Sequence, residues 1–103
     1  MAGPMRIRAK LNGDKTTVRV LMSHEMESGQ RKDSSGKLIP AHFIQDVSAS
    51  LNGKVVMTAE WGPAVSKNPF MQFEVKGGAK GDKISVSWQD NKGDSRTDET
   101  TVS

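Results

Sequence analysis

His24 and His42 are the only histidines in a chain of 103 residues that contains no cysteine. A metal site of the nitrogen-ligand kind would have to be built around them. With thiolates gone, imidazole nitrogens and carboxylate oxygens are the ligands left for a divalent ion, and Glu25, Glu27 or Asp46 would have to complete the set. The two histidines do not stand at a ligand-like spacing. His24 lies in a long loop and His42 opens a strand, so only the fold can bring them together. Each is expected to make ordinary hydrogen bonds, and no metal or other cofactor is expected. An iron site of the histidine-rich, cysteine-capped kind found on some small sandwiches cannot be assembled here.

Ser23 beside His24 suggests a nucleophile and its base, but neighbours on an extended chain point to opposite sides. No nucleophile elbow and no Gly-rich oxyanion loop accompanies them. Gly77-Gly78-Ala79-Lys80-Gly81 lacks the phosphate-cradling pattern and reads as a hairpin turn. The absence of cysteine also removes disulfides, thiol catalysis and iron–sulfur clusters. No catalytic residue is expected, and the chain is not expected to be an enzyme by itself.

The elements that hold these residues are short strands. Met5 to Leu11 alternates, with Ile7, Ala9 and Leu11 on one side and Arg6, Arg8 and Lys10 on the other. Asn12-Gly13 is a turn signal, and Thr16 to Met22 follows as the second strand of a hairpin. Periodicity then stops from Ser23 to about Pro40. Eighteen such residues exceed the usual loop length in a small domain, and long loops are mostly functional or disordered. The polar Gly/Ser-rich tip is expected to be mobile.

Residues 41–51 form the third run, with Phe43, Val47, Ala49 and Leu51 on one face and Ile44, Asp46, Ser48 and Ser50 on the other. Asn52-Gly53 turns the chain into 54–60, where Val55, Met57 and Ala59 alternate. Residues 70–76 place Met71, Phe73 and Val75 together, and residues 83–89 turn Ile84, Val86 and Trp88 inward. Asp90-Asn91-Lys92-Gly93 is a further turn before a weak, Thr-rich last strand, 95–102. The expectation is one domain over 1–103. It is all-β, an immunoglobulin-like antiparallel β-sandwich of about seven strands, with the strand order left open.

Trp61-Gly62-Pro63-Ala64-Val65-Ser66-Lys67-Asn68-Pro69-Phe70 is the least generic stretch. Its two prolines fix φ and remove backbone donors, so it cannot continue a ladder. Its aromatics either plug the core or present a stiff surface that loses little entropy on binding a partner.

Length and composition bound the rest. A 103-residue chain supports one core, and no run is long and apolar enough to span a bilayer. The net charge of +3 is uneven: residues 1–40 hold eight Lys/Arg against four Asp/Glu. With few aromatics and no groove-reading motif, neither nucleic acid nor membrane is expected as a partner, and Arg6, Arg8 and Lys10 read as a solvated strand face. The N-terminus carries no secretory signal pattern, which taken alone points to the cytoplasm.

Several segments together resemble one family. Leu21-Met22-Ser23-His24, Met26-Glu27, Arg31-Lys32-Asp33, Lys37-Leu38-Ile39-Pro40-Ala41-His42-Phe43-Ile44, the Trp61–Phe70 stretch, and Trp88 with Asp90-Asn91-Lys92-Gly93-Asp94 are similar in type and order to SoxZ. The resemblance implies an immunoglobulin-like sandwich that pairs with SoxY in the SoxYZ carrier of thiosulfate oxidation. It implies a non-catalytic subunit that stabilises SoxY and helps present its cysteine-bound sulfur intermediates, with transient contacts to other Sox enzymes. It also implies a periplasmic location through co-export with a signal-bearing SoxY.

The non-periodic segments are the expected contact surface. Met22, His24, Met26, Ile39, Pro40, Phe43, Trp61, Pro63, Val65, Pro69 and Phe70 would supply its apolar part, with Arg31, Lys32, Lys67 and Asn68 at the rim. For Phe43, Trp61 and Phe70 the competing fate is core packing. Two other functions compete: a stand-alone immunoglobulin-like binding module that self-associates, and a small metalloenzyme built on His24 and His42.

Overall fold

The computed structural model describes residues 3–103, and within them all regular structure is β. Seven strands follow in order: β1 Arg6–Asn12, β2 Lys15–Leu21, β3 Ile44–Leu51, β4 Lys54–Glu60, β5 Phe70–Lys76, β6 Lys83–Asp90 and β7 Ser95–Thr101. They form two antiparallel sheets, β1-β2-β5 and β4-β3-β6-β7. The expected seven-stranded sandwich is what the chain adopts. In the constant-type immunoglobulin arrangement the fourth strand joins the sheet of the first; here β4 pairs with β3 instead.

Local sequence explains the hairpins. Between β3 and β4 both turn residues, Asn52 and Gly53, have positive φ (50° and 86°), which a two-residue type I′ turn requires and Asn-Gly tolerates. The core lies between the sheets. Val18, Val20, Ala9 and Val75 come from the first sheet and Val47, Ala49, Ile84, Val86 and Trp88 from the second. Full burial of each Val or Ile stabilises the fold by about 1.5–3 kcal/mol.

Two bulges change the expected facing. The β3–β6 register shifts between Ile44 and Asp46, so Gln45 and Asp46 both face solvent while Ile44 turns inward and is fully buried. Simple alternation put Ile44 outside; the extra residue reverses its parity. A second shift, between Ala49 and Ser50 on β3, leaves Val56 without a facing partner on β4. Val55 and Val56 are both exposed there, contrary to the inward Val55 of the alternation.

The sandwich is fastened along one side. Ser103 bonds across to Leu11 and Ala9, and the Met5 N–H donates to Asp98 Oδ2 at 3.0 Å, tying β1 to the β7 end. On the other side β4 and β5 end their sheets, and their inward residues Met57, Ala59, Met71 and Phe73 are only half-buried.

Candidate functional site

His24, His42 and Asp90 meet at one end of the sandwich. The expected convergence of the two histidines occurs, but the carboxylate that joins them is Asp90, not Glu25, Glu27 or Asp46. Asp90 is the last residue of β6, two positions beyond Trp88, and so continues the inward face of Ile84, Val86 and Trp88. That parity was readable in the sequence; assigning Asp90 to a turn hid it.

Asp90 is 2% exposed and all its lone pairs have work. The Nε2–H groups of His24 and His42 both donate to Oδ2, at 3.0 and 2.7 Å. The backbone N–H groups of Lys92 and Asp94 both donate to Oδ1, at 2.9 Å each. Burial pushes this carboxyl up, while the two imidazole donors and the two amides pull it down. The donors prevail, and Asp90 sits below the usual carboxylate range.

His24 is fixed at both ring nitrogens. Its Nδ1 accepts the N–H of Met26 at 3.0 Å, so Nε2 carries the proton given to Asp90. Met26 adopts φ 52° to make this bond, and its Sδ in turn accepts the N–H of Ile44 at 3.4 Å. The ring of His24 also packs edge-on against Trp88 (5.1 Å between centroids) and His42 (4.5 Å).

Three atoms, two imidazole nitrogens and one carboxylate oxygen within 4.8 Å, have the make-up of a metal site. The hydrogen bonds around them do not. A neutral imidazole has one lone pair, and that of His24 is spent on the Met26 amide. Metal-bound histidines instead donate from the nitrogen that does not bind the ion. The residues present do not fit a resident ion. The same occupancy leaves His24 unable to serve Ser23 as a base.

The long segment before β3 is not without structure. It runs out and back as an irregular hairpin, with bridges Glu27–His42 and Lys32–Leu38. Its tip, expected to be mobile, is closed by Asp33. That carboxylate accepts from the Ser35 N–H and hydroxyl and from the Lys37 N–H, at 2.7–3.0 Å.

The Trp61–Phe70 segment is sewn to the same end. Asn68 holds φ 51°, and Met22 donates its N–H to Pro69. Asn91 does the equivalent for 41–43, exchanging bonds with Phe43 and donating to Ala41.

The expected contact residues divide accordingly. Met22, His24, Met26 and Pro69 are buried within the chain and build the end rather than its surface. Ile39, Phe43, Trp61 and Val65 are half-buried, and Phe43, Trp61 and Val65 pack against the core. Pro40, Pro63, Arg31, Lys32, Lys67, Asn68 and Phe70 are exposed.

A groove of about 560 Å³ runs between the hairpin and the Trp61–Phe70 segment, lined by Met26, Arg31, Pro63, Val65 and Lys67 among others. A pocket of about 360 Å³ adjoins it over His24, His42, Lys67 and Asn68. Within the groove Arg31 is spent on Glu27 through a forked ion pair (2.8–3.1 Å), which holds the Glu27 carboxyl below its ordinary range. Lys67 has no ion-pair partner among the described residues. Phe70 lies apart, on the outer face of the first sheet opposite Leu21.

The solved structure of a hypothetical protein from Pyrococcus horikoshii OT3 matches with a TM-score of 0.65 at 19% identity, covering 99% of this chain and 89% of that one, a likeness of fold. No curated protein sequence matches significantly. The family model described as sulphur oxidation protein SoxZ matches residues 5–101, from the start of β1 to the end of β7. The chain belongs to the SoxZ family and has its role in the Sox system of sulfur oxidation.

Proposed function

We propose that this chain is the non-catalytic subunit of a SoxYZ heterodimeric carrier. It stabilises SoxY and helps present the sulfur intermediates held on the SoxY cysteine to the Sox enzymes, in the periplasm after co-export with its partner. Family membership over residues 5–101 is the observation that carries this reading.

The chemistry of the chain is consistent with it. With no cysteine, this subunit has no thiol to take up sulfur or to exchange with a partner's cargo. His24 has no free ring nitrogen for proton transfer, and the Asp90 carboxylate is saturated. The groove between the hairpin and the Trp61–Phe70 segment has apolar lining from Met26, Pro63 and Val65 and a polar rim, a make-up suited to a protein partner.

The test is native mass spectrometry of this chain mixed with a cognate SoxY, before and after loading with thiosulfate by the system's enzymes. A one-to-one complex with the adduct on SoxY alone is expected. A chain that stays alone, forms only its own dimer, or itself retains sulfur or metal overturns the reading.

A further inference from the structure

The outer face of the β1-β2-β5 sheet collects cations from three strands that are remote in sequence. Register sets them in a grid: Arg6, Leu21 and Phe70 in one row, then Arg8, Arg19 and Gln72, then Lys10, Thr17 and Glu74, then Asn12, Lys15 and Lys76. Directly facing residues of an antiparallel ladder point to the same side, and eleven of these twelve are exposed, with Thr17 half-buried. Six cations against one carboxylate give the face a formal charge of +5, while the whole chain carries +3. The remainder of the molecule is therefore net acidic.

The placement opposes the stability of the sheet. Arg8 faces Arg19 directly, and Lys15 faces Lys76. Like charges at facing positions repel. Among the described residues only Lys15 of the six finds an acid, Glu74, at 3.8 Å and with both side chains more than half exposed. An ordinary solvated sheet face mixes the two signs.

At one end of the grid sits an apolar pair. Leu21 is 42% exposed and Phe70 61%, directly opposite one another. An aromatic anchor beside a field of arginines is the composition of a protein-docking surface, in which the anchor is desolvated and the charges steer approach.

We infer that this face docks an acidic protein surface, as a site separate from the groove and independent of whether SoxY occupies that groove. Nucleic acid fits less well. The face has one aromatic and no run of rings on which successive bases could stack, and the described residues contain no helix to enter a groove. A second copy docked face to face would set +5 against +5.

The experiment measures binding of a fluorescent poly-L-glutamate 20-mer to the full chain by anisotropy at low salt. A 20-mer single-stranded DNA and phosphatidylserine vesicles are titrated in parallel. The double variant R8E/R19E is expected to weaken poly-glutamate binding by about tenfold or more. K54E/K92E makes the same change in net charge away from this face, at Lys54 on β4 and Lys92 in the β6–β7 turn, and is expected to weaken binding by less than about twofold. R8Q/R19Q, which only neutralises, must fall between wild type and R8E/R19E, and circular dichroism must show all three variants folded. Equal weakening by the two reversals, or no binding by wild type, overturns the proposal. Tighter binding of DNA or vesicles than of poly-glutamate, lost in R8E/R19E, overturns it as well.

Discussion

His24 and Asn68 exchange two hydrogen bonds across 44 positions of sequence: the His24 N–H donates to Asn68 Oδ1 at 3.1 Å, and the Asn68 N–H donates to the His24 carbonyl at 2.9 Å. The pair joins the two irregular segments of the chain and sets the width of the groove between them. Asn68 does this from a left-handed conformation, φ 51°, which asparagine reaches more easily than other side chains except glycine. Asn68→Gly keeps the conformation and loses the side-chain bond, costing about 1 kcal/mol. Asn68→Ala loses both and costs about 1–2 kcal/mol. Urea denaturation should rank them in that order; equal costs would mean that the backbone conformation contributes nothing.

Asp90 makes the end of the sandwich sensitive to acid. Its carboxyl is lowered by folding, so its contribution is fully present above the unfolded value of about 4 and is lost as pH falls through the folded one. Thermal melts of wild type should therefore fall below about pH 4. Asp90→Asn leaves four donors facing a neutral amide and should cost about 3 kcal/mol at neutral pH. The variant should then show a flatter melting profile between pH 5 and 2 than wild type. A parallel decline would assign the acid sensitivity to other lowered carboxyls, such as Asp98 beside Arg96.

Most of the strand pattern was legible because period-two alternation is a local signal. What was not legible depended on one extra residue or on strand order. The bulge at Gln45 turns Ile44 inward, and no local rule marks it. Val55 and Val56 look like core by composition, yet β4 has its register shift there and ends its sheet. The metal-like cluster needed β6 to run beside β3, which brings Asp90 to His42. Arg6, Arg8 and Lys10 read as an ordinary solvated face from β1 alone. Only the β2–β5 pairing adds Lys76 and Phe70 to it.

Zinc should not bind the His24–His42–Asp90 cluster tightly. Capture would require His24 to give up the Met26 N–H, or to ligate with both ring nitrogens unprotonated. Equilibrium dialysis against zinc at equimolar concentration should leave the ion free, and His42→Ala should make no difference. Stoichiometric zinc retained by wild type and lost in His42→Ala would show that the hydrogen bonds rearrange and would restore the metalloprotein reading.

Arg8 and Arg19 provide a test of the basic face that uses stability alone. If the two guanidinium groups repel across the ladder, Arg19→Gln should raise the melting temperature by about 2–4 °C despite shortening the side chain. The gain should shrink in 0.5 M salt, because exposed charges are screened within a few ångströms there. It should also disappear when Arg19→Gln is made in an Arg8→Gln background, since the cycle isolates the pair. A melting temperature that falls instead would mean that the arginine stems pack productively on the sheet. The face would then be a contributor to folding, with no stability given up for a partner.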